Sequence, residues 1–165
     1  MIATRTGISR LLDWQAIIET MLFCQYGAFS IKPGWTVLDI GASIGDFSIW
    51  AKRQGADRVV AYECDLFCAP ALRRNAERHK FEVCLQRVET LQGLPDADLV
   101  KIDIEGGEFN LFPNARYPRI IMEYHKPYGN PEILQDILKQ SGYQTAIKAN
   151  WHRQDIGMLI SWRPN

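Results

Sequence analysis

The octet Lys101 to Glu108, KIDIEGGE, sets three carboxylates and two glycines directly after the approach Ala97-Asp98-Leu99-Val100. A buried strand that runs into acids and a sharp turn commonly ends at a pocket, because ligands of open parallel α/β sheets bind beyond the carboxyl ends of the strands. Asp103, Glu105 and Glu108 then stand where a substrate arrives, and a solvated acidic turn is the alternative. Glu123 and His125 close another apolar run two residues apart, so they project to one side if the strand continues through them. His125 titrates near neutrality when unperturbed, which suits a general base, although a lone histidine is more often structural. Asp103, Glu123 and His125 could also form an oxygen and nitrogen cation site. Spacing alone does not favour that reading, and no metal is assigned.

A second group of residues suits an anionic or nucleoside-containing ligand. Val37 to Phe47, VLDIGASIGDF, is a strand, a small-residue turn and a helix start. Gly41, Ala42 and Gly45 let a ligand approach the backbone, and free N–H groups at the helix start favour an anion such as a carboxylate. Capping of the helix by Ser43 or Asp46 is the purely structural alternative. The spacing lacks the middle glycine of G-x-G-x-x-G, which disfavours a dinucleotide and so a nicotinamide oxidoreductase. Glu63 follows 22 residues after Gly41, at the end of the strand Arg58 to Tyr62, where a carboxylate can accept ribose hydroxyls.

These groups need elements to hold them, and the sequence supplies alternating strands and helices. Residues 8 to 25 read as an amphipathic helix, and Thr36 to Ile40, Arg58 to Tyr62, Phe81 to Leu85, Asp98 to Ile102 and Arg119 to Glu123 as strands. Phe47 to Gln54, Pro70 to His79 and Pro131 to Gln140 read as helices, and Tyr143 to Ile147 with Met158 to Trp162 as a last antiparallel pair. The alternation predicts an α/β fold with a doubly wound, mostly parallel sheet. One crossover is thin: eleven residues with Gly93 and Pro95 separate Gln86 from Asp98. The N-terminal helix or a second subunit is expected to cover the sheet face this leaves thin, which makes a homodimer possible.

At 165 residues the chain reads as one domain, with a helical segment over 1–30 and a sheet core over 31–165. Nineteen basic residues balance nineteen acidic ones, so the net charge gives no reason to expect nucleic acid or an anionic membrane as partner. Cys24, Cys64, Cys68 and Cys84 lack paired C-x-x-C spacings and read as reduced. Asp13, Glu19 and Thr20 interrupt the apolar residues near the N-terminus, so a cytoplasmic helix is expected there rather than a signal or anchor.

Together these pieces resemble a class I S-adenosylmethionine-dependent methyltransferase with a Rossmann-like sheet, and more closely the FkbM family. VLDIGASIGDFS resembles that family's glycine-rich motif, AYECD its ribose-binding strand end, ADLVKIDIEGGEFNLF its central motif and IIMEYH its next strand end. The resemblance covers about Thr36 to Tyr143. Ser43 departs from the usual asparagine, and the segment between the third and fourth strands is cut to Arg87 through Ala97. It implies S-adenosylmethionine as cofactor, held by Asp39, Gly41, Ala42, Ser43, Gly45, Glu63 and Cys64, with Val88 near the adenine. It also implies methyl transfer to a hydroxyl of a small molecule or sugar, with Asp103, Glu105, Glu123 and His125 as the catalytic candidates. Tyr124, Tyr128, Trp151, His152 and Trp162 could line the acceptor pocket. A cofactor-binding module without turnover and an RNA methyltransferase are the alternatives, the first suggested by the shortened segment.

Overall fold

The computed structural model describes residues 2–6, 9–21, 26–111, 116–150 and 154–164. Cys24, Trp151, His152 and the end of the helix expected over 8–25 lie outside them. The chain divides into two compact units, Met1–Arg87 and Val88–Asn165.

In the first unit, α1 (Ser9–Met21) precedes β1 (Thr36–Ile40), α2 (Asp46–Gln54), β2 (Arg58–Glu63), α3 (Ala69–His79) and β3 (Glu82–Leu85). The strands lie in the order β3-β2-β1, and both pairings are parallel. Val37, Leu38 and Ile40 of β1 and Val59, Val60 and Ala61 of β2 are buried, the near-continuous apolar run expected of a parallel strand covered on both faces. Pro70 opens α3, where a missing N–H costs nothing, and Lys80 closes it in the left-handed region at φ 61°. Ile17 of α1 packs on Ile44 and Ala71, with Ile2 beside them, so the N-terminal helix covers the turn after β1 and the start of α3.

In the second unit, β4 (Leu99–Ile102) pairs in parallel with β5 (Arg119–His125). Helix α4 (Pro131–Gln140) follows, started by Asn130, whose side chain accepts the Glu132 N–H at 3.1 Å. The last strands, β6 (Gln144–Ala149) and β7 (Ile156–Trp162), are antiparallel, and β7 lies between β5 and β6. Strand β5 runs two residues past the predicted end, because His125 pairs with Ile156. The segment between β3 and β4 contains no helix, where its eleven residues 87–97, with glycine and proline, left room for at most a turn or two.

The whole is a mostly parallel Rossmann-like sheet with a C-terminal antiparallel strand pair, the architecture expected from the sequence. Among the described residues no helix is long and apolar enough to cross a membrane.

Candidate functional site

The first unit gathers the glycine turn and Glu63. The chain leaves β1 through Gly41 at φ 76°, and the N–H groups of Gly41 and Ala42 both donate to the Tyr62 carbonyl, at 3.0 and 2.9 Å. Ser43 sits at φ 50°, a left-handed conformation that side chains seldom adopt. Its N–H donates to Glu63 Oε2 at 2.7 Å, while Glu63 Oε1 accepts the N–H groups of Cys64 and Asp65, each at 2.7 Å. These three charge-assisted bonds lock the carboxylate at the end of β2. They leave lone-pair capacity on Oε2, so the residues fit a ribose hydroxyl there.

Other members of this set have structural partners. Asp39 is fully buried and its Oδ2 accepts from Ser48 Oγ at 2.6 Å, which ties β1 to α2. Gly45 is the residue before α2, at φ 83°, and a Cβ there would lie 2.8 Å from Phe81 Cζ and 2.9 Å from Leu72 Cδ1. Its missing side chain therefore makes room for the packing of Phe81 and Leu72. Neither Ser43 nor Asp46 caps α2: the N-cap is Gly45, without a side-chain bond, and Asp46 Oδ2 instead accepts Thr20 Oγ1 at 2.5 Å. Cys64 is exposed beside Glu63. Sequence reading missed Asn75, which is fully buried, donates to Ala3 O and Ile44 O at 2.8 Å, and accepts the Ala3 N–H at 2.6 Å. It fastens the N-terminal segment to the glycine turn, and nothing local in an asparagine within α3 announces a bond spanning 72 positions.

The second unit gathers the acids and the histidine. Glu105 holds φ 54° and Gly106 φ 97°, so the turn after β4 bends through two left-handed residues. A Cβ on Gly106 would run into the Tyr128 ring, which also meets the His125 ring edge to face at 6.5 Å. His125 is 5 % exposed. Its Nδ1 lies 3.0 Å from Oε1 of the fully buried Glu108, and its Nε2 lies 3.3 Å from Glu105 Oε2 and 3.7 Å from Glu123 Oε1. Asp103 completes the group, with its Oδ2 3.8 Å from Nζ of the buried Lys101. The structure thus brings Asp103, Glu105, Glu123 and His125 together, as expected, makes Glu108 the partner of His125, and adds Lys101. A lysine inside the apolar run of β4 was the available signal for that addition. Val88 is buried and also belongs to this unit.

These contacts move the protons. Burial opposes the charge on Glu108, but the bond from His125 and the backbone N–H groups of Glu108 and Gly106 outweigh it and hold the carboxyl below its usual range. Burial also opposes the charge on His125, yet the Glu108 hydrogen bond and the charges of Glu108, Asp103 and Glu105 raise it to about 9. Burial, then the Asp103 charge, push Glu123 up to about 8 against the pull of His125 and Lys101. At neutral pH the imidazole is therefore an imidazolium, and its assignment as a base poised near neutrality does not follow from this geometry.

The same shifts set a pH dependence. His125 and Glu123 bind their protons more tightly folded than unfolded, so the stability they confer is present below about 6.5 and 4.5 and is lost as pH rises through about 9 and 8. Glu108 acts oppositely, contributing stability above about 4.5 that is lost as pH falls through its lowered value. In buffer free of divalent ions, the unfolding midpoint is expected to drop by roughly 5 °C or more between pH 6 and pH 9. A midpoint that is level or rising over that interval would contradict the assignment.

No family model matches the chain. It is 35 % identical over 138 residues to a ribosomal protein L11 methyltransferase of Burkholderia multivorans, an alignment covering 80 % of this chain and 42 % of that protein. Among solved structures, the ribosomal protein L11 methylase of Lactobacillus delbrueckii subsp. bulgaricus superposes with TM-score 0.62 at 21 % identity, over 91 % of this chain and 80 % of that one. The fold is that of a class I S-adenosylmethionine-dependent methyltransferase. An rRNA methylase from Streptococcus thermophilus shares it, with TM-score 0.60 at 8 % identity over 97 % of this chain and 100 % of that one.

The chain spans about two-fifths of the length of the curated relatives it matches. The FkbM resemblance is thereby corrected: no family model matches, and these relatives are ribosomal protein L11 methyltransferases. The glycine turn and the acidic strand ends that carried it are features of the S-adenosylmethionine-binding Rossmann-like fold at large, where ligands meet the carboxyl ends of strands.

Proposed function

We propose that this chain binds S-adenosylmethionine through the Gly41 to Gly45 turn and Glu63, and transfers its methyl group to a nucleophile on a protein. The observation that carries this reading is the 35 % identity over 138 residues to a ribosomal protein L11 methyltransferase, on a chain with the methyltransferase fold. That relationship favours a macromolecular acceptor over the hydroxyl of a small molecule or sugar. Possible acceptors thus include RNA, in line with the shared rRNA methylase fold, but the sequence relationship puts protein first.

When bound, the sulfonium supplies an activated methyl: the acceptor lone pair forms the new bond to carbon as the carbon–sulfur pair returns to sulfur. This chain's residues then have two tasks, to hold the reactants in line and to take the acceptor's proton. Glu63 accepts a ribose hydroxyl on Oε2, and the left-handed backbone at Gly41 and Ser43 brings the turn's N–H groups to the Tyr62 carbonyl and Glu63. Asp103, at the end of β4, is the group assigned to receive the proton, since their surroundings favour the protonated forms of His125 and Glu123. Glu105, 83 % exposed on its turn, orients the acceptor.

The test is transfer of labelled methyl from S-adenosylmethionine to separated ribosomal protein and ribosomal RNA. Label in protein, lost in Asp103→Asn, is the expected result. Label in RNA alone would replace the protein acceptor, and label in a small-molecule extract alone would restore the hydroxyl reading.

A further inference from the structure

We infer that Asp103, Glu105 and His125 form a binding site for one divalent metal ion of the Mn2+ or Zn2+ kind. One carboxylate oxygen from each acid and a ring nitrogen of His125 all lie within 4.8 Å of one another. Donors on one such ion sit about 2.0 to 2.2 Å from it, so those of a tetrahedral set stand about 3.3 to 3.6 Å apart, and the widest pair here closes by up to roughly an ångström on binding. Glu105, exposed on its turn, is the ligand free to make that movement.

The histidine is already oriented for a metal, whose binding would displace the proton on Nε2. Buried at 5 % exposure, it has Nδ1 against Glu108 at 3.0 Å, and Glu108 is itself fully buried and fixed by the Ile104 N–H at 3.3 Å. A carboxylate on one ring nitrogen sets the orientation and tautomer that present the other nitrogen as ligand, the usual support behind a metal-bound histidine. Nε2 is thereby turned toward Glu105 Oε2 and Glu123 Oε1. Lys101 supplies a single positive charge beside the four carboxyl groups of Asp103, Glu105, Glu108 and Glu123.

The donor chemistry selects the ion. Carboxylates suit Mg2+ and Mn2+, imidazole suits Zn2+ and its neighbours, and one imidazole with two carboxylates falls where Mn2+ and Zn2+ overlap. The set differs from the sequence-derived one by Glu105, which the turn brings in where Glu123 was expected. Three protein donors leave coordination positions for an oxygen of the acceptor. That last role rests on the proposed methyl transfer, whereas the binding site itself does not.

The experiment is calorimetry of the chelator-stripped protein with MnCl2 and, on a fresh sample, with ZnCl2, both without S-adenosylmethionine. One ion per chain is expected, with affinity falling at least tenfold in Asp103→Asn and in Glu105→Gln, and with no detectable binding in His125→Ala. The exposed position of Glu105 keeps its variant folded, so a failure to fold elsewhere does not blunt the test. Absence of one-site binding for both ions, or parental affinity in both acid variants, overturns the site. A separate titration with S-adenosylmethionine distinguishes that outcome from failure of the methyltransferase reading, because Gly41 to Gly45 and Glu63 belong to the other unit.

Discussion

Glu108→Ala is expected to lower the unfolding midpoint at pH 6 by about 10 °C. The carboxylate is fully buried, accepts from His125 Nδ1 at 3.0 Å and from the Ile104 N–H at 3.3 Å, and is held ionised against its burial by the His125 bond and the backbone N–H groups of Glu108 and Gly106. Removing one partner of a buried pair leaves the other without its counter-charge, at a cost of about 3 to 5 kcal/mol. In a chain of this size each kcal/mol moves the midpoint by about 2 to 4 °C. Glu108→Gln keeps an acceptor for Nδ1 and is expected to lose less. The alanine variant should also slow methyl transfer by about one to two orders of magnitude, because the ring that meets Glu105 and Glu123 loses its orientation. An alanine variant melting within 2 °C of the parent would remove Glu108 from the account.

Gly45→Ala is the other large effect, and it arises in the first unit. The new Cβ would stand 2.8 Å from Phe81 Cζ and 2.9 Å from Leu72 Cδ1, on a backbone at φ 83°. Leu72 is fully buried and Phe81 is 9 % exposed, so neither neighbour has open space to enter. Left-handed backbone on alanine costs about 1 to 2 kcal/mol, and overpacking adds about 1 to 3 kcal/mol. A loss of roughly 2 to 5 kcal/mol by denaturant unfolding is expected. The double variant Gly45→Ala with Phe81→Leu should recover only the packing part, since the backbone strain remains. Full recovery would mean that φ at this position is not constrained, and no loss in the single variant would mean that the turn adapts freely.

These two residues also mark how far the sequence could be read. The period of the apolar residues placed β1 at its observed ends and every other strand within two residues of them, since a buried parallel strand writes an unbroken apolar run. At β5 the apolar signal stops at Met122, yet the strand continues to His125, because pairing with β7 holds polar residues in register. Glu123 and His125 were legible as a same-side pair from their spacing alone. Glu108 was visible as an acid but not as the partner of a histidine 17 positions away, which only the turn through Glu105 and Gly106 brings close. Gly45 was legible as a glycine that lets a ligand approach, but not as one that makes room for Phe81 and Leu72, which lie far from it in sequence. Family membership was overdrawn for a related reason. Strand-end acids and a glycine turn report the fold's shared binding edge rather than any one family's acceptor.

Every step of the proposed methyl transfer depends on S-adenosylmethionine being held by the turn from Gly41 to Gly45 and by Glu63. That binding is tested most directly by calorimetry with S-adenosylmethionine and S-adenosylhomocysteine on the parent protein and on Glu63→Ala. Loss of a hydrogen bond to a charged acceptor costs about 1.5 to 3 kcal/mol, so both ligands should bind the parent at one site and bind the variant roughly tenfold to a hundredfold more weakly. A parent that binds neither ligand would contradict the account, whatever the acceptor and whatever the metal.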